Sequence, residues 1–223
     1  MAGLCFDMYG TLCDTSSVSD RLAAELDVSE TLVDAVDRTW RQKQLQYSYQ
    51  VALMDAYEPF WNVTERALAY TLDQYELDPG TEGRKRIQEA YNHLDPFPDA
   101  AEALERLGDA GHDVVVLSNG NPAMLERLAS NTGLDAHLDG IISADEVKTF
   151  KPAPDVYENA ADRLGRDLGE CRLVSSNAWD IAGAGQAGMG TGWVNRHRDP
   201  PEAVGPDPDV VARSLSELAD RLA

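Results

Sequence analysis

Short apolar runs recur along the whole chain, with helical patterns between them. They fall at residues 3–6, 114–117, 140–143, 172–175 and 192–195, with 209–211 as a sixth candidate. Runs this short suit parallel strands covered on both faces. The stretch from Asp99 to Ala110 carries Ala103, Leu104 and Leu107 and stops at Gly111. Asn121-Pro122 reads as an N-cap and first helical residue, with Leu125 and Leu128 behind and Gly133 closing the helix. Pro154 starts another helix that ends near Gly165. Strand and helix alternate, which predicts an α/β fold with a doubly wound parallel sheet.

Residues 16–94 break the alternation, because they contain no convincing strand. Ser29-Glu30 opens a long helix with the stripe Leu32, Val36, Trp40 and Tyr47. Thr64-Glu65 opens another, with Leu68, Leu72 and Tyr75, and a third holds Ile87, Ala90, Tyr91 and Leu94. Pro96-Phe97-Pro98-Asp99 then returns the chain to the alternating pattern. An all-helical block inserted after the first strand is a cap over the strand ends, where open α/β sheets bind ligands. The expected division is a core of residues 1–14 plus 96–223 and a cap of residues 15–95. From about residue 200 the chain reads as a loop, then an amphipathic helix through Leu215, Leu218 and Leu222.

Charge narrows the choice of partners. The chain has 223 residues, 39 acidic against 19 basic, for a net charge of −20 and a pI near 4.4. Lys43, Lys85, Lys148 and Lys151 are its only lysines. Such a chain repels nucleic acid and anionic membranes, so neither is expected as a partner. The acids are spread rather than gathered in a tail. Self-repulsion of this kind is tolerable where salt screens it, since the Debye length falls to about 3 Å at 1 M; a halophilic source is therefore expected, against an ordinary acidic enzyme. No apolar run reaches the roughly 18 residues of a membrane span. Cys5, Cys13 and Cys171 are odd in number and form no C-x-x-C, so they read as packing residues of a cytoplasmic protein. His93, His112, His137 and His197 have no metal spacing and read as surface or loop residues.

Four signals lie at or just after strand ends. They are Asp7-Met8-Tyr9-Gly10-Thr11, Leu117-Ser118-Asn119-Gly120, Phe150-Lys151-Pro152 and Val174-Ser175-Ser176-Asn177-Ala178-Trp179-Asp180. Each alone has a plain reading. An acid after a strand is commonly a turn former, and Ser-Ser-Asn before a helix can be capping. Together and in this order they converge on one crevice. There they supply a nucleophile, hydroxyl donors, a cation and a second acid.

With these motifs the chain resembles the haloacid dehalogenase superfamily, and within it the L-2-haloacid dehalogenases. The resemblance runs from Cys5 to about Asn195 and includes the cap. Trp40-Arg41-Gln42-Lys43-Gln44-Leu45 is similar to that subfamily's halide-side helix, and Ala67-Leu68-Ala69-Tyr70-Thr71-Leu72 also matches. The resemblance implies a Rossmann-like core, an inserted all-helical cap and a homodimer. Phosphatases of the superfamily usually carry a second acid in the first motif, which protonates the leaving group, and further acids in the fourth, which hold Mg²⁺. Here those positions are Tyr9 and Ser176. Mg²⁺ wants several oxygen ligands, mostly carboxylates. Asp7 and Asp180 alone make a poor site, so no metal and no cofactor are expected.

What the resemblance implies chemically is hydrolysis of short L-2-haloalkanoic acids to D-2-hydroxy acids. Asp7 displaces the halogen with inversion and forms an ester, which water then opens. Arg41 and Asn119 serve the halide side. Ser118 and Lys151 hold the substrate carboxylate, and Tyr157 orients Lys151. Asp180 orients or deprotonates the water. Thr11, Ser175 and Asn177 position Asp7 and bind the developing oxyanion. Tyr9, Leu45, Phe60 and Trp179 make the apolar wall around the alkyl chain and halogen, and Gln42 is a further substrate-binding residue. Plainer roles stay open: Arg41 as a solvated helix residue, Tyr157 as packing, Phe60 and Trp179 as core. The implied partners are a 2-haloacid and a halide ion. The competing readings are a Mg²⁺-dependent phosphatase, a hydrolase of another C–X bond such as fluoroacetate or a strained ring amino acid, and a catalytically silent anion-binding protein.

Overall fold

Alternate residues of a strand face opposite sides of a sheet, and here both sides are covered. The computed structural model describes residues 1–223. In chain order, β1 (Gly3–Phe6) and β2 (Cys13–Asp14) precede the helices α1 (Ser17–Leu26), α2 (Glu30–Leu53), α3 (Phe60–Gln74) and α4 (Gly80–Glu89). Then come β3 (Asp95–Pro96), α5 (Ala100–Asp109), β4 (Asp113–Ser118), α6 (Pro122–Thr132) and β5 (Gly140–Ser143). The chain ends with α7 (Pro154–Leu164), β6 (Cys171–Ser175), α8 (Ala178–Ala187), β7 (Gly190–Val194), β8 (Val210–Ala212) and α9 (Leu215–Leu222).

The six-stranded sheet runs β5-β4-β1-β6-β7-β8, and every pair is parallel. Leu4 and Phe6 of β1, with Val114, Val116 and Val174, pack under α5, α6 and α9. Cys5, Val115, Leu117 and Leu173 point the other way, onto α7 and α8. This is a doubly wound α/β core, as the alternation predicts. The chain winds outward in opposite directions from β1, so β1 is the switch point where such sheets bind ligands.

The helices α1 to α4 form the cap. Its base is an antiparallel pairing missed in the sequence, where Cys13 faces Pro96 and Asp14 faces Asp95. Two-residue strands carry no periodicity to read. The buried face of α2 is Val33, Val36, Trp40, Gln44, Ser48 and Val51. Leu32 and Tyr47, expected in that stripe, are only part-buried. Helix α3 starts at Phe60, ahead of the expected Thr64, because Pro59 supplies an extended N-cap. The expected third helix is α4, which ends at Glu89 and passes into a 3₁₀ turn at Ala90–Asn92. His112, expected at the surface, is part-buried: it accepts from the Ala2 amide at 3.0 Å and lies 3.0 Å from the Leu222 carbonyl. No helix is long and apolar enough to cross a membrane.

Candidate active site

Asp7 is the first residue past β1, and its amide extends the ladder to the Val174 carbonyl at 2.9 Å. The backbone then turns sharply at Gly10, where φ is +81° and only glycine is unstrained. The turn brings Thr11 back under Asp7. The Thr11 hydroxyl donates to Asp7 Oδ2 at 3.3 Å and accepts from the Ser176 amide at 2.8 Å. Asn177, the N-cap of α8, donates through Nδ2 to the same Oδ2 at 2.8 Å. Ser175 does not reach Asp7; its hydroxyl accepts from the Asn177 amide at 3.1 Å and fixes that residue instead.

Lys151 comes from the loop before α7 and is 1% exposed. Its ammonium lies 3.4 Å from Asp7 Oδ1 and 2.8 Å from Asp180 Oδ2. Its backbone amide donates to Asn119 Oδ1 at 2.8 Å. Tyr157 makes no direct hydrogen bond to Lys151. Its hydroxyl donates to Asp180 Oδ1 at 2.7 Å, so it orients Lys151 only through that carboxylate. The tight approach of α7 to α8 depends on Gly183, where an added Cβ would lie 2.3 Å from Pro152 Cβ and 2.8 Å from the Tyr157 hydroxyl.

Burial sets the electrostatics. It pushes Asp7 up to about 6; Lys151 opposes the rise and Asp180 adds to it. Burial alone would lower the Lys151 ammonium, but Asp180 and Asp7 outweigh it and raise its pKa above the ordinary lysine value. Burial and the adjacent Asp180 push Tyr157 well up, so it stays a hydrogen-bond donor. Burial likewise raises Tyr9.

Above Asp7 lies a pocket of about 150 Å³. Tyr9, Ser118, Asn119, Lys151, Asn177 and Trp179 line it from the core, and Arg41, Leu45 and Phe60 from the cap. Thr11, Tyr157, Ser175 and Asp180 stand one layer behind. Arg41 is already engaged: its Nε reaches Asp37 at 2.9 Å, and its two terminal nitrogens hold the hydroxyl and carbonyl of Thr15. Gln42, expected at the substrate, is exposed and outside the pocket. Each helical residue advances about 100° around the axis. Trp40, Arg41, Gln44 and Leu45 therefore share an arc that Gln42 does not.

Gln44, Tyr91, Thr15 and Gly10 also line the pocket and were missed in the sequence. Gln44 had a signal, as a polar residue four after Trp40 in an otherwise apolar stripe. Tyr91 had none beyond its apolar spacing. No three His, Cys, Asp or Glu side chains converge on a metal position. Asp7 and Asp180 share the Lys151 ammonium instead, so this donor set does not fit Mg²⁺.

The haloacid dehalogenase-like hydrolase family matches residues 1–188. The chain belongs to that family. It is 44% identical over 218 residues to (S)-2-haloacid dehalogenase 4A of Burkholderia cepacia, covering 98% of this chain and 93% of that one. A solved dehalogenase with an intermediate complex superposes at a TM-score of 0.94, with 42% identity, over 100% of this chain and 97% of its own. The L-2-haloacid dehalogenase of Xanthobacter autotrophicus with chloropropionic acid covalently bound has a TM-score of 0.90 and 35% identity, over 99% of this chain and 97% of its own.

Proposed function

We propose that the protein is a metal-independent (S)-2-haloacid dehalogenase that converts short L-2-haloalkanoic acids to D-2-hydroxy acids. The carrying observation is a buried carboxylate at the switch point whose charge partner is a fixed lysine, beneath a small pocket lined from both the core and the cap. Asp7 Oδ2 is held by the Thr11 and Asn177 side chains, while the side-chain contact of Oδ1 is the long one to Lys151. Oδ1 is thus the freer oxygen and the nucleophile. It attacks C2 opposite the halogen, the new C–O bond forms, and halide leaves with its electron pair toward Arg41. Ser118 and Lys151 hold the substrate carboxylate. Water then adds to the Asp7 ester carbonyl, Asp180 takes its proton, and Oδ2 becomes the oxyanion that Thr11 and Asn177 stabilise. Collapse breaks the Asp7 Cγ–Oδ1 bond, Asp180 returns its proton to the leaving alkoxide, and the renewed Asp7 carboxyl group ionises, for a net yield of hydroxy acid, halide and one proton.

The cap of residues 15–95 is, in this reading, a separate unit closing on the core at the Cys13–Asp14 and Asp95–Pro96 pairing. A cytoplasmic homodimer of halophilic origin completes the proposal. Three free buried cysteines suit a reducing compartment. Exposed Leu53, Met54 and Tyr70, at the end of α2 and on α3, suit a dimer contact; light scattering at the mass of one chain would remove that part. The test of function is chloride release from L-2-chloropropionate in EDTA, followed by one turnover in H₂¹⁸O. Turnover should survive the chelator, and heavy oxygen should enter the Asp7 peptide before the product. A Mg²⁺-dependent phosphatase would give the opposite chelator response, and label appearing first in the hydroxy acid would exclude the ester.

A further inference from the structure

The buried part of the pocket has two sides. On the core side Asp7, Ser118, Asn119 and Lys151 make a polar floor. From the cap, the buried lining residues are Gln44, Phe60 and Tyr91. We propose that Tyr91 and Gln44 set the longest alkyl chain the pocket accepts. This rests on the dehalogenase reading. With the carboxylate on Ser118 and Lys151, C2 over Asp7 and the halogen toward Arg41, the alkyl substituent is what remains to meet the inner cap wall.

That wall cannot yield. The Tyr91 hydroxyl donates to Gln44 Oε1 at 2.9 Å, and Gln44 Nε2 donates to Thr64 Oγ1 at 3.2 Å. Trp40 Nε1 donates to the Thr64 carbonyl at 2.9 Å. The Tyr91 ring lies edge-on to Trp40 at 5.2 Å and to Tyr9 at 5.9 Å. Displacing Tyr91 would strand two buried polar atoms, its own hydroxyl and Gln44 Oε1, which is costly for each. The pocket of about 150 Å³ is benzene-sized, room for about six heavy atoms. A three-carbon 2-chloro acid already has that many.

The experiment is kcat/KM for the L-2-chloro acids from propionate to hexanoate. In the wild type it should fall about 10-fold or more for each methylene beyond the three-carbon acid. Tyr91→Ala removes a phenol ring, and the hexanoate-to-propionate ratio should rise about 100-fold. Gln44→Ala should move the ratio the same way by less, which keeps the test open if Tyr91→Ala does not fold. Tyr91→Phe keeps the ring but releases Gln44 Oε1, so it should move the ratio in the same direction by far less than Tyr91→Ala. The ratio is an internal control, because partial unfolding lowers both substrates together. A wild type that takes hexanoate as well as propionate, or folded alanine variants with the wild-type ratio, would overturn the inference. A wild type that releases no halide from any member defeats the dehalogenase reading itself, and this inference with it.

Discussion

Burial raises Asp7 from 3.8 to about 6, and Lys151 only partly offsets that rise. Between those values the folded chain binds this proton more tightly than the unfolded chain does. The stability it contributes is present below 3.8 and is lost as pH rises through about 6. At neutral pH the fold therefore carries an ionised Asp7 at a cost of about 3 kcal/mol. Two results should follow. The acid limb of kcat/KM should fall near pH 6, since that profile reports the free enzyme. Asp7→Asn should be inactive yet more stable by about 1–3 kcal/mol at pH 8, with a smaller gap at pH 5. Urea unfolding at the two pH values checks this, and a variant less stable at pH 8 would contradict it. Tyr9 carries a related cost, because its hydroxyl is buried with no partner. An unmet buried polar group costs about 1–3 kcal/mol. Tyr9→Phe should raise the unfolding temperature by about 2–4 °C; a drop would mean the hydroxyl has a bonded role.

At the scale of elements, the machinery is a contact between α7 and α8. Tyr157 on α7 holds Asp180 on α8, and Asp180 holds Lys151. Gly183 permits that approach, so Gly183→Ala should destabilise the fold by about 1–3 kcal/mol through overpacking. It should also lower kcat, because Pro152 and Tyr157 must shift. Thermal melts and kinetics together check this, and unchanged kcat would show that the contact has slack. The same contact explains what could be read in advance. Asp7 directly follows β1 and Asp180 lies in the first turn of the helix after β6, while Lys151 stands just before the proline-started α7, so short apolar runs and turn chemistry locate them. The cap had no such anchor. Placing Gln42 in the pocket instead of Gln44 is an error of helical phase, because a sequence stripe does not say which arc meets the core. Tyr91 reaches the pocket only through packing on Trp40 and Tyr9, a long-range contact with no local pattern. The pairing of Cys13–Asp14 with Asp95–Pro96 joins segments separated by the entire cap.

The whole molecule carries −20, yet its reaction partner is an anion. Most arginines are already spent on neighbouring acids, as in Arg86 with Glu25, Arg163 with Glu146 and Arg166 with Asp113. Exposed pairs of this kind contribute about 0–1 kcal/mol each, and the unneutralised remainder repels itself over long range. Salt weakens both, but it relieves a repulsion summed over many acids and removes only small local attractions. Melting temperature should therefore rise from dilute buffer to molar KCl. The pocket responds differently, since Lys151 is buried and little screened. Salt strips away the outer field that repels a 2-haloacid and leaves the inner cation in place. KM for L-2-chloropropionate should fall about 3- to 10-fold across that range while kcat stays constant. A KM that rises with salt would mean that substrate is drawn in by exposed positive charge, and that the acidic surface does not govern its approach.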